Sequence, residues 1–199
     1  NLTGRAVAYG WEDRFDDAAD YYTTNIGGGK DGTLTYYTWK ETVATPGTLA
    51  VTTTAKTTTG DYISFGPSVT DPAAAEVWDL TADQKVRFRC MVPSGNTVYV
   101  RADLVDLVNA RSTDAVPAIK LTADGAYHDY VIDFAGNFVN KYGGANAGDV
   151  DKTNIVACNL YIWKNDGSSD PDLWAGVTTF DNLSVGKTIR IYGNSTSIS

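Results

Sequence analysis

A chain of 199 residues fits the roughly 100 to 200 residues of one domain, and a content of 43% hydrophobic and 20% charged residues is that of a folded core. Sixteen Lys and Arg against 24 Asp and Glu leave a net charge of −8, which argues against nucleic acid as a partner because the phosphate backbone needs a basic footprint. No apolar run reaches the roughly 18 residues of a membrane span, and two cysteines with one histidine exclude a disulfide-dense scaffold, a four-thiolate zinc site and any scheme needing two imidazoles.

The chain opens at Asn1 with neither an initiator Met nor a charged region leading into an apolar one, as expected of a processed chain. Dense threonine around residues 51–59 and 12% aromatic residues favour pleated surfaces over helices. Strands are predicted over Leu34–Lys40, Leu49–Thr53 and Tyr62–Phe65. Four clear alternations follow. Val86, Phe88, Cys90 and Val92 face one way, with Arg87, Arg89 and Met91 opposite. Val98, Val100, Ala102 and Leu104 oppose Tyr99, Arg101 and Asp103. Tyr130, Ile132 and Phe134 oppose Val131 and Asp133, and Val156, Cys158, Leu160 and Ile162 oppose Ala157, Asn159, Tyr161 and Trp163. Val177–Val185 and Thr188–Tyr192 complete the set, with a disordered tail expected from about residue 193. Turn signals lie at Pro93–Asn96, Ala123–Gly125 and Asn165–Gly167. About ten short strands with little helix predict a single all-β domain over residues 1–199, an antiparallel β-sandwich of jelly-roll topology.

Trp174-Ala-Gly-Val-Thr-Thr-Phe-Asp181-Asn-Leu-Ser-Val-Gly186 resembles the closing strand of jelly-roll, galactose-binding-domain-like carbohydrate-binding modules. Glu12-Asp-Arg-Phe15-Asp16-Asp17 resembles their opening Phe followed by an acidic residue. Trp78-Asp79-Leu80 before Val86, and Tyr127 to Phe134, resemble two strand entries between these ends. The pattern covers most of the chain and picks out the superfamily, leaving the numbered family open.

The resemblance implies that the strands of Val86–Val92, Val98–Leu104 and Val156–Trp163 adjoin in one sheet whose concave outer face binds glycan. That face would present Arg89, Tyr99, Arg101, Asp103, Asn159, Tyr161 and Trp163. A pyranose offers one apolar C–H face and a rim of hydroxyls, so Tyr161 and Trp163 suit stacking, and the polar side chains suit the rim. The arginines point towards an anionic polysaccharide. The alternative is an ordinary solvated face, with the arginines paired to Asp103 and loop carboxylates and Trp163 covered. A second aromatic group containing Tyr36, Tyr37 and Trp39 is either a loop site or packing.

In the modules resembled, structural calcium joins the acidic residue after the opening Phe to the Asp of the closing strand, here Asp16 and Asp181. The same strand order would bring Cys90 and Cys158 together in the core, as two buried thiols or as a bridge. The function implied is non-catalytic polysaccharide binding by a secreted or surface-displayed protein, a monomeric domain within a larger multidomain chain, targeting an attached enzyme to glycan. One alternative is a lyase or hydrolase, for which Asp103 with Asp129 is the carboxylate pair on offer and His128 the lone imidazole. The other is a protein-binding or adhesive sandwich.

Overall fold

The structure, a computed structural model, describes residues 10–13, 32–37, 48–53, 63–68, 77–108, 115–139, 148–163 and 176–186. Among these are ten strands and no helix: β1 (Gly10–Asp13), β2 (Gly32–Tyr37), β3 (Thr48–Thr53), β4 (Ile63–Phe65), β5 (Lys85–Met91), β6 (Tyr99–Asp106), β7 (Ile119–Lys120), β8 (Tyr127–Asp133), β9 (Ile155–Trp163) and β10 (Gly176–Gly186). They form two antiparallel sheets. One has the order β2-β3-β10-β5-β8, with β1 also paired to β10; the other has the order β4-β9-β6-β7.

Alternation explains how the sheets close on each other. Val86, Phe88 and Cys90 of β5 and Phe180, Leu183 and Val185 of β10 are buried against Val100, Ala102 and Leu104 of β6 and Cys158, Leu160 and Ile162 of β9. Phe180 meets Phe65 of the facing sheet edge-on at 5.0 Å, joining the layers, and within the six-stranded sheet Phe88 stacks on Tyr130 at 5.4 Å. Where β4 meets β9, Gly66 is required. A Cβ there would overlap the Cys158 carbonyl oxygen, at a φ of +151°.

The expected strand order is corrected in one respect. β5 lies in the sheet opposite β6 and β9, paired with β10 and β8, so Val86–Val92 does not adjoin the other two strands. Strand pairing here joins segments far apart in sequence, which alternation does not encode. Cys90 and Cys158 consequently belong to different sheets, and both are buried, free thiols. Burial pushes both thiols far above the ordinary range, Cys158 also by its proximity to Asp103.

The register slips at two places, and the first overturns an expected parity. Opposite the Val105/Asp106 step the register of β9 slips, so Ile155 fills the core and Val156 is only half-buried. A second slip lies between Phe180 and Asn182 of β10, where Asp181 is the extra residue. The predicted strand Thr188–Tyr192, the tail from about 193 and the turn at Asn165–Gly167 lie outside the described residues.

Candidate functional site

The register of the four-stranded sheet sets out the site. Tyr99 pairs with Trp163, Arg101 with Tyr161, and Asp103 with Asn159. Since core-facing Val100, Ala102 and Leu104 alternate with Tyr99, Arg101 and Asp103, the latter stand on the sheet's outer side.

There the Arg101 guanidinium grips Asp103 along its own strand, Nη2 donating to Oδ2 at 3.0 Å while Nε stands 2.9 Å from Oδ1. The guanidinium carbon also sits 4.9 Å from the centre of the Tyr161 ring. Charge pair and ring are nearly shut off from solvent: Asp103 is 1% exposed, Arg101 and Tyr161 9% each. An ion pair is tolerated at such depth because each charge offsets the other and one directed hydrogen bond joins them. Tyr99 and Asn159, half-buried, are the more accessible members. The side chain of Trp163 lies outside the described residues, and so do those of Tyr36 and Tyr37, whose backbones in β2 pair with Leu49 and Thr48; Trp39 lies outside entirely.

Arg89 does not join this group. On the outer side of the six-stranded sheet, it stands 3.6 Å from Asp181 and places its guanidinium carbon 5.5 Å from the Tyr127 ring centre. Burial first, and the Asp181 carboxylate next, push the Tyr127 phenol above its ordinary value. Arg87, on the same face, holds Asp83 through two hydrogen bonds of 2.8 and 3.0 Å.

Asp181 is a buried carboxylate at the β10 slip, an oxygen donor of the type calcium takes. Asp16 lies outside the described residues, and among those described no group of three His, Cys, Asp or Glu side chains could hold a metal.

The pair considered for glycoside cleavage is separated. Asp103 on β6 and Asp129 on β8 occupy opposite sheets and point away from one another, whereas a retaining glycosidase sets its carboxyls about 5 Å apart. His128 is engaged elsewhere, its Nε2 lying 3.0 Å from both oxygens of Asp124 in the adjoining turn.

Sequence reasoning missed a groove of about 310 Å³ on the outer side of the six-stranded sheet, formed along β10, β5 and β8 with Glu12 of β1. Arg89 and Asp129 were individually visible as polar residues of a sheet face; their sharing one row with Asn182 depends on pairing between strands that alternation alone cannot supply.

No protein-family model matches the sequence, and no curated protein does. Solved structures do match it. A family 11 carbohydrate-binding module from Clostridium thermocellum, in complex with a β-1,3-1,4-mixed-linked tetrasaccharide, aligns over 93% of this chain and 99% of its own, with TM-score 0.54 and 16% identity. The fold is that of a jelly-roll carbohydrate-binding module. The family 11 module of the cellulosomal cellulase Lic26A-Cel5E of Clostridium thermocellum aligns over 94% and 99% of the two chains, with TM-score 0.52 and 16% identity. An exo-β-agarase matches 88% of this chain over 24% of its own, with TM-score 0.51 and 10% identity. This chain covers nearly the whole of the two solved module chains and about a quarter of the agarase.

Proposed function

We propose that this chain is a non-catalytic carbohydrate-binding module that holds a neutral polysaccharide on the outer side of the four-stranded sheet. The observation that carries the reading is the row of Tyr99, Arg101, Asp103, Asn159 and Tyr161 on one face of a fold shared end to end with glycan-binding modules. Tyr161 has one ring face committed to Arg101 and serves to position it. Tyr99 and Trp163, register partners at the same end of β6 and β9, supply stacking surface, and the Asn159 amide supplies both donor and acceptor for adjacent hydroxyls.

Neutrality follows from the arginines. Arg101, the arginine of this face, holds Asp103, so the forked donors that would have taken a sugar acid or sulfate are already engaged; Arg87 and Arg89 stand on the other sheet. Calcium held by Asp16 and Asp181 belongs to the same proposal, supported by the buried oxygen donor of Asp181 and by the likeness in the two chain ends. So do a monomeric state and, by analogy with the module of a cellulosomal cellulase, an extracellular location and an attached catalytic domain.

The test is affinity electrophoresis and calorimetry with linear hexasaccharides and polymers of glucose (β-1,4 and mixed β-1,3-1,4), xylose, mannose and galactose, beside polyuronate and sulfated polymers. Retardation by one neutral glycan, weakened at least tenfold (about 1.4 kcal/mol) by Tyr99→Ala or Trp163→Ala, is expected. No new reducing ends or unsaturated products should form. A lower melting temperature in EDTA that calcium restores would support the metal. Binding confined to anionic polymers, or unaffected by both substitutions, would sink the reading.

A further inference from the structure

The six-stranded sheet carries its own arrangement of polar groups around an apolar patch, on the side of the sandwich away from Arg101 and Asp103. The strand register makes two short rows across it: Glu12, Ser184, Arg87 and Val131 in one, Asn182, Arg89 and Asp129 in the other. Two long side chains would be expected to lie over this surface, but each is drawn off. Asp83, four residues before Arg87, holds that guanidinium towards the start of β5, while Asp181 and the ring of Tyr127 hold Arg89 towards its end. Between the diverging arms a groove of about 310 Å³ opens, at the small end of the roughly 300 to 1,000 Å³ of ligand sites, and Val131 within it is 51% exposed.

The groups at its edge are unengaged where it matters. Among the described residues Asp129, Asn182 and Ser184 have no side-chain hydrogen bond or ion pair, so a carboxylate acceptor, an amide with both donor and acceptor, and a hydroxyl remain for a ligand. Both arginines are neutralised within the protein, and Glu12 and Asp129 add negative charge, so an anion is disfavoured. A neutral ligand rich in hydroxyls, with an apolar patch to lay on Val131, meets all these conditions.

We propose that this groove is a second saccharide site, taking one or two pyranose units of a neutral glycan. It rests on the reading of the chain as a glycan-binding module. With sites on opposite outer faces, one domain can hold two chains at once, or two stretches of one chain, and gain avidity without added contacts.

The experiment is an amide NMR titration of the 199-residue protein with the neutral hexasaccharides named above. Two groups of shifted amides are expected, one at Tyr99 and Asn159, the other at Arg89, Asp129 and Asn182. Asp129→Ala and Val131→Lys, both at exposed positions, should each weaken the second group at least tenfold and leave the first unchanged. Shifts confined to β6 and β9 in the wild type would overturn this inference and leave the first site standing. Shifts confined to the groove would uphold it and overturn the first site. A second group that persists at full affinity in both variants would overturn it, and no shifts with any hexasaccharide would overturn both.

Discussion

Arginine, aspartate and tyrosine meet on both outer faces of this sandwich, in two different states. On the four-stranded sheet the Arg101 and Asp103 side chains are 11% and 1% exposed and 2.9 Å apart, with Tyr161 under the guanidinium. On the six-stranded sheet Arg89 is 45% exposed, Asp181 lies 3.6 Å away and Tyr127 stands further off. Depth decides what each is for. The buried pair is a rigid strut whose loss strands a charge, while on the other sheet the exposed Arg89 side chain moves at little expense and leaves room beside it.

Removing one partner from each pair gives the largest contrast. Asp103→Ala leaves Arg101 buried without its carboxylate and should destabilise by about 3 to 5 kcal/mol in chemical denaturation. If it melts within 1 °C of the wild type, the strut has no structural role. Next in size is Gly66→Ala, where the new Cβ meets backbone and the φ of +151° is unfavourable to an L residue. Backbone strain of this kind costs roughly 1 to 3 kcal/mol, and the fastest added hydrogen exchange should appear in β4 and its partners in β9. Gly95→Ala, at a turn with φ of +82° and nothing within 4 Å, should do less. On the other sheet, Arg89→Ala should change stability by only about 0 to 1 kcal/mol. A loss equal to that of Asp103→Ala would erase the distinction between the faces.

That distinction was half legible in the residues. Strict alternation set the inward faces of β5, β6 and β8 correctly, because period two with one apolar face has a single consistent placement. It failed at Val156, where an extra residue reverses the parity and no side chain announces the slip, and a like slip at Asp181 was not foreseen. Sheet membership was beyond it. Arg89 and Arg101 share a pattern and stand on opposite sides of the molecule, since pairing is settled by distant segments such as β10. Nor does alternation tell an outward residue in solvent from one enclosed. Asp103, 1% exposed, reads in the sequence like Asp133, whose side chain is 47% exposed and 3.3 Å from Lys85.

The smallest effect concerns how the two sheets respond to acid. Beyond β6, the Asp151 carboxylate accepts hydrogen bonds from the Thr153 hydroxyl at 2.7 Å, the Asn154 amide at 2.7 Å and the Thr153 backbone N–H at 3.0 Å, which together hold it below the ordinary carboxylate range. The backbone N–H of Asp151 in turn donates to buried Asp106, and Leu107 N–H to the Asn154 carbonyl, so this turn fastens the end of β6. A carboxyl depressed in the folded state stabilises fully above the unfolded value near pH 4 and loses that contribution as pH falls through the lower folded value. Asp124, depressed by the Ala126 N–H and then by His128, obeys the same sign beside β8 in the other sheet. Asp151 is exposed, so solvent screening keeps the effect small, and its removal in Asp151→Asn should flatten the fall in melting temperature below pH 4 by no more than about 2 °C. Amide exchange at acid pH locates the response: in the wild type, Leu107 and Ile155 should lose protection before the β5–β10 ladder does, and simultaneous loss would mean that the two sheets open as one unit.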